Sequence, residues 1–160
     1  MGSTSDLPVM EKACKWLDDN EIPFEVNALS AHRTPDAVEA FAKGAQERGI
    51  KVIIAAAGMA AALPGVIAAS TNLPVIGVPI KGMLDGLDAM LSIIQMPPGI
   101  PTATVGVNAA QIAAILAAQI IGLSDSAVAA KVAAHKAGLG AKIEKANKDL
   151  AEVKYNFKTN

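Results

Sequence analysis

The chain is poor in cysteine, histidine, aromatic side chains and net charge, and each shortage removes a class of protein. A single cysteine, Cys14, excludes an internal disulfide framework and any multi-cysteine zinc or iron–sulfur site. That usage fits a reducing, cytoplasmic setting. Two histidines, His32 and His135, are too few for a histidine-rich metal site. With 15 acidic against 14 basic residues, the chain lacks the basic excess that sequence-independent nucleic-acid binding requires. Aromatic residues make up only 3% of the 160 residues, whereas 52% are hydrophobic and 32 are alanine. The interior is therefore built from small side chains that let backbones approach closely.

Two uncharged stretches, Val52–Ile80 and Ala89–Ser124, are long enough to suggest membrane spans. Pro64, Asn72, Pro74 and Pro79 interrupt the first, and Pro97, Pro98 and Pro101 the second, so neither offers the roughly 20 unbroken apolar residues a spanning helix needs. The N-terminus shows no basic stretch followed by an apolar run, hence no secretory signal is expected. No repeat, linker or low-complexity tract divides the chain. One domain is expected over residues 1–160, with an α/β core at 1–123 and a helical tail at 124–160.

Apolar, β-rich runs alternate with helical patterns, which predicts a parallel sheet covered by helices on both faces. Pro8 behind Ser5 and Asp6 reads as a helix start, with Val9, Ala13, Trp16 and Leu17 on one buried face. A strand is expected at Phe24–Leu29. A second helix should open with Thr34 as cap, Pro35 in its first turn and Asp36 at its positive end, and run to Arg48 before Gly49. Val52–Ala57 and Pro74–Val78 read as central strands and Thr102–Val105 as a last one, with helices over Met59–Ser70, Leu87–Gln95 and Ala109–Ile121. Ala109–Ile121 is apolar on nearly every side, which predicts burial against a second copy and hence a homo-oligomer. The charged tail from Ser124 reads as a long helix, with His135 in solvent among its lysines.

Residues Gly2–Asp6 look like the loop after a first strand, yet no strand precedes them in this sequence. In a doubly wound sheet that strand is central, and its omission would expose two strand edges. Either the natural start lies a few residues upstream or the sheet is completed in another way; the first is preferred.

Three loops should meet outside the carboxyl ends of the strands, where open parallel sheets bind ligands: Gly2–Asp6, Ser30–Arg33 and Ala57–Met59. The first and third combine glycine with small neighbours ahead of a helix, which suits an anion held by backbone N–H groups. Ser and Asp clusters also cap helices generally, so the first loop alone says little. His32 beside Arg33 is more specific, because a guanidinium grips phosphate and an imidazole moves protons near neutral pH. A solvated histidine beside a surface arginine is the plain alternative. Cys14 reads as structural, since no basic group is placed to activate it. Asp85 and Asp88 read as helix-start and surface residues, with no third ligand nearby for a metal.

The segments MGSTSDLPVM, SAHRTP, AAAGMAAALPGVIAAS, LPVIGVPIKG and LDGLDAMLSIIQMPPGIP, in that order, resemble the N5-carboxyaminoimidazole ribonucleotide mutase (PurE) family, bacterial class I type, from Met1 to about Leu123. The resemblance implies a flavodoxin-like three-layer α/β/α sandwich, assembled as an octamer with sites between subunits. It assigns Ser3, Ser5 and Asp6, with Gly2, to the substrate's ribose phosphate, and Arg33, Ser30 and Ala31 to substrate binding. Ala57 and Gly58 line the pocket, and His32 becomes the general acid and base. The implied reaction moves a carboxyl group from the exocyclic nitrogen of an aminoimidazole ribonucleotide to ring carbon C4 without metal, nucleotide or redox cofactor. Many relatives read GGAAHLPG in the third loop, where this chain has Gly58-Met59-Ala60-Ala61-Ala62-Leu63-Pro64-Gly65: Ala62 replaces a histidine and Met59 a glycine. That departure leaves two alternatives standing, direct carboxylation by free carbon dioxide and a non-catalytic phosphate-binding paralogue.

Overall fold

The first helix forms where the apolar spacing places it. In the computed structural model, which describes residues 1–160, a short 3-10 turn at Thr4–Asp6 feeds α1 (Leu7–Asp19), with Pro8 in its first turn. Met10, Ala13, Trp16 and Leu17 are buried along one face. The Asn20 side chain closes the helix by donating to the Trp16 carbonyl at 2.7 Å.

The strand expected at Phe24–Leu29 does not form a ladder: residues 22–30 carry no regular structure. One pairing is present. The Met1 amine donates to the Asn27 carbonyl at 3.0 Å, and Leu29 N–H donates to the Met1 carbonyl at 2.8 Å. Upstream of that pair, Phe24–Asn27 face a cavity rather than a neighbouring strand, which is why no ladder propagates.

The sheet has three parallel strands in the order β1 (Ile53–Ala57), β2 (Val75–Pro79) and β3 (Ala103–Thr104). Ile53 pairs with Val75 through to Ala57 with Pro79, and Ile76 pairs with Ala103. Successive side chains point to opposite faces and so feed two cores. Ala56, Ile76 and Val78 pack beneath α1 and α5 (Ala110–Gly122). Ile53, Ala55, Ala57 and Val75 pack beneath α2 (Pro35–Gly44), α3 (Ala62–Ser70) and α4 (Leu87–Ile94). The result is the expected three-layer α/β/α sandwich.

Helix ends differ from the sequence reading by a few residues. α2 stops at Gly44, and turns carry the chain to Gly49 at φ +85°. Gly49 N–H donates to the Gln46 carbonyl and Ile50 N–H to the Ala45 carbonyl, the paired bonds of a glycine cap. α3 starts at Ala62 rather than Met59, because Met59 and Ala61 both have positive φ.

α5 is less enclosed than its composition suggests. Its alanines 110, 113, 114, 117 and 118 are buried, while Ile112 is 55% exposed. It lies between α1 and the 27-residue α6 (Ser126–Glu152), which Asp125 caps by accepting from the N–H groups of Ala127 and Val128. His135 is half-buried rather than solvated: its Nδ1 accepts from Trp16 Nε1 at 3.3 Å, with the two rings edge to face. A histidine at helical spacing from Val128 and Val132 continues the docked face of α6, a pattern that the surrounding lysines obscured. No helix is long and apolar enough to cross a membrane.

Candidate active site

The first two loops are joined by one side chain. Arg33 Nη2 donates to the Gly2 carbonyl at 2.9 Å, and Arg33 Nε donates to Ser30 Oγ at 3.1 Å. Ser30 Oγ also accepts from the Arg33 N–H, so this hydroxyl fixes both ends of the arginine. The loop is closed from the other side by Thr34, whose Oγ1 accepts from Ser30 N–H at 3.0 Å and donates to the Ser30 carbonyl at 3.1 Å. Thr34 stands at the N-cap position of α2 as expected, but its side chain makes no cap bond and is spent on Ser30 instead. Its contribution to the site was hidden by its obvious role as a helix start.

In the first loop Ser3 and Asp6 form a reciprocal cap. Ser5 N–H donates to Ser3 Oγ at 3.0 Å, and Ser3 N–H donates to Asp6 Oδ2 at 3.3 Å. The two serine hydroxyls converge to 2.5 Å, leaving a polar rim beside the anchored guanidinium. Hydroxyl donors, a fixed arginine and a helix start together favour an anion, whereas the Asp6 carboxylate suits a hydroxyl-bearing group beside it. His32 sits on the same turn as Arg33, exposed and with no hydrogen bond inside the chain. Its ring is free to meet a ligand.

The third loop follows β1 directly. Gly58 lies against Ile80, whose carbonyl oxygen would be 3.4 Å from an added Cβ, so the backbone of this loop runs tight against the end of β2. Leu29 and Ala31 pack against the core that contains Ala57 and Ala61, which brings the second loop to the third. Asn108, not singled out in the sequence, ties the chain leaving β2 to the segment ahead of α5: its Oδ1 accepts from Lys81 N–H at 2.9 Å and its own N–H donates to the Pro79 carbonyl. Only its positive φ of 57° marks it, and that is invisible without coordinates. Ala62 opens α3 and carries no proton-transferring group.

Met59 occupies a left-handed position, φ +52°, that glycine adopts without penalty. Its side chain is 66% exposed and contributes little burial to offset the strain. Met59→Gly is expected to raise stability by up to about 1 kcal/mol, the steric cost of the left-handed region less the flexibility added to the unfolded chain. A denaturant titration measures it; a loss of about 1 kcal/mol or more would show that Met59 packs against something.

Parallel strands with helices on both faces define a flavodoxin-like α/β protein. The chain belongs to the AIR carboxylase family, whose profile matches residues 1–142. An N5-carboxyaminoimidazole ribonucleotide mutase of Pyrococcus horikoshii is 51% identical over 154 residues, 96% of this chain and 87% of that protein. The enzyme of that name from Thermotoga maritima is 49% identical over 156 residues, covering 97% and 91%. A phosphoribosylaminoimidazole carboxylase of Saccharomyces cerevisiae is 56% identical over 133 residues, but this chain spans only 23% of it. The crystal structure of Treponema denticola PurE superimposes with a TM-score of 0.83 at 30% identity, over 94% of each chain.

Proposed function

We propose that this protein is an N5-carboxyaminoimidazole ribonucleotide mutase of purine biosynthesis, acting in the cytoplasm on a small-molecule ribonucleotide. The observation that supports the reading is the Arg33–Gly2 bond, which ties the loop that carries His32 to the loop that carries Ser3 and Asp6. Ser3, Ser5 and Arg33 hold the phosphate, Asp6 accepts from ribose hydroxyls, and Gly2, Ser30, Ala31, Ala57 and Gly58 line the pocket. His32 protonates the exocyclic nitrogen as its carboxylate leaves as carbon dioxide. C4 then attacks that carbon dioxide, and His32 takes the C4 proton. The proton given in the first half is recovered in the second, so one residue serves both.

Carboxylase chemistry is the second reading, favoured by the yeast relative. The likeness over whole chains supports the first: the mutase-named relatives of P. horikoshii and T. maritima are matched over 87% and 91% of their length, the yeast carboxylase over 23%. The deciding assay offers purified protein the carboxylated amine in one mixture and aminoimidazole ribonucleotide with bicarbonate in another. Turnover of the first alone is expected; preference for the second makes the protein a carboxylase, and silence in both makes it a binding paralogue.

We further propose an octamer whose sites are completed between copies. His32, Met59 and Ala60 are exposed, so nothing in one chain encloses carbon dioxide. Leu84, just ahead of α4, and Leu87, Leu91 and Ile94 on it present an exposed apolar stripe that a second copy would cover. Arg33→Lys is expected to raise KM by about 10- to 100-fold with a smaller change in kcat, because lysine keeps the charge but loses the fork that spans Gly2 and Ser30. Steady-state kinetics separate the two; an unchanged KM would remove Arg33 from substrate binding.

A further inference from the structure

Residues 136–152 of α6 are all exposed, whereas Val128 and Val132 pack against the core beneath α1 and α5. His135, half-buried, is the last residue of the helix that is not exposed. Gly138 and Gly140 follow it, and an added Cβ at either would meet nothing within 4 Å. No packing explains these glycines, and in a helix interior only proline is a weaker helix former. The helix is therefore held at His135 and loosest just beyond it.

What holds it is a hydrogen bond of fixed polarity. Trp16 Nε1 donates to His135 Nδ1 at 3.3 Å, with the ring centroids 5.4 Å apart and the planes at 87°. An indole nitrogen only donates, so the bond exists only while Nδ1 keeps its lone pair and the imidazole is neutral, with its proton on Nε2. Trp16 is 5% exposed, and its indole N–H has no second acceptor in the chain. A proton on Nδ1 sets N–H against N–H, which breaks the bond and leaves a buried donor unpaired.

The other charges around the ring are constant where an imidazole titrates. α1 brings Lys12 and Asp19 within a turn of Trp16, and Asp19 is held by Lys15 at 3.3 Å. α6 brings Lys131 and Lys136, and Lys131 reaches Glu21, in the turn after α1, at 3.4 Å. α5 carries no ionisable side chain. Carboxylates ordinarily titrate at about pH 4 and lysines at about pH 10, whereas an imidazole does so at about pH 6.5.

We propose that the Trp16–His135 contact is a proton-operated clasp. With the ring neutral, α6 lies docked along residues 126–135. One proton from solvent, taken up at Nδ1, frees the helix from Val132 onward, while Val128 and the close approach of Gly122 to Ala129 keep its start in place.

The test follows the whole chain between about pH 7.5 and about pH 5.5, where carboxylates and lysines keep their charge. Trp16 is the only tryptophan, so its indole N–H gives one NMR resonance that reports the bond. On acidification that resonance is expected to shift with a single midpoint. Amide exchange at residues 132–135, corrected for the intrinsic effect of pH, is expected to speed up by about tenfold. His135→Asn places a carbonyl oxygen where Nδ1 stands and cannot titrate, so both responses should vanish while these amides stay protected at the higher pH. A wild-type resonance and exchange rate that do not change across the window overturn the proposal, as does a response that persists in His135→Asn. Faster exchange spread over β1 and β2 as well would mark a general loss of stability and overturn it too. Neither readout involves turnover, so the result stands apart from the mutase reading.

Discussion

His32→Asn is expected to lower kcat by about 10²- to 10⁴-fold while KM moves by less than about tenfold. Asparagine keeps a polar planar group of similar reach but cannot accept and return a proton. The proposed reaction needs both events, protonation of the departing nitrogen and removal of the C4 proton, so losing the titratable ring affects each half. In the proposed function substrate binding rests on Arg33, Ser3, Ser5 and Asp6, whose contacts within the chain do not involve His32. His32 is exposed and bonds to nothing else in the chain, so circular dichroism and assembly size should not change. A fall in kcat of less than about tenfold would remove His32 from proton transfer. A fall in KM and kcat together with altered assembly would assign it an interfacial role instead.

The parts of this fold legible in the sequence are those set by local chemistry. Pro8 and Pro35 mark the starts of α1 and α2, the charged tail after Ser124 becomes α6, and the uninterrupted apolar runs become β1 and β2. Phe24–Leu29 had the composition of a strand but not the neighbour, and hydrogen-bonded pairing is a property of two segments rather than one. His135 looked solvated from its lysine neighbours because a partner 119 residues away, Trp16, cannot be read from local sequence. The same holds for the site. Gly2, Ser30, Arg33 and the serines lie in loops that residue type and position pick out, whereas the bonds of Thr34 and Asn108 to neighbouring backbone, and the positive φ of Asn108, are displayed only by coordinates. Met59 links the two levels: a departure from the family's glycine in the sequence becomes a strained backbone in the structure.

Gly77→Ala is expected to be the most disruptive single methyl group that can be added to the sheet. Gly77 lies in β2, the middle strand, and a Cβ there would fall 2.4 Å from Ile93 Cγ2 and 3.4 Å from Pro64 Cβ. No real carbon contact is that short, so α4 must lift or Ile93 must leave its rotamer. Neither is easy. Ile93 is fully buried, and its carbonyl accepts from Thr102 Oγ1 at 2.7 Å, which pins this turn of α4 to the chain entering β3. Overpacking of this kind costs about 1–3 kcal/mol, partly offset by the lower flexibility that alanine gives the unfolded chain. At the size of this domain the midpoint of thermal unfolding should drop by roughly 2–8 °C. Ile93→Ala alone should cost about 2–5 kcal/mol through the cavity it leaves. If the methyl–isoleucine clash is the cause, Gly77→Ala should cost almost nothing on the Ile93→Ala background, because the new methyl then occupies space the isoleucine vacated. The double-mutant cycle would then show a favourable coupling of about 1 kcal/mol or more. Additive losses would place the strain elsewhere, at Pro64 or in the β2 backbone, and would mean that α4 does not set the tolerance of this strand.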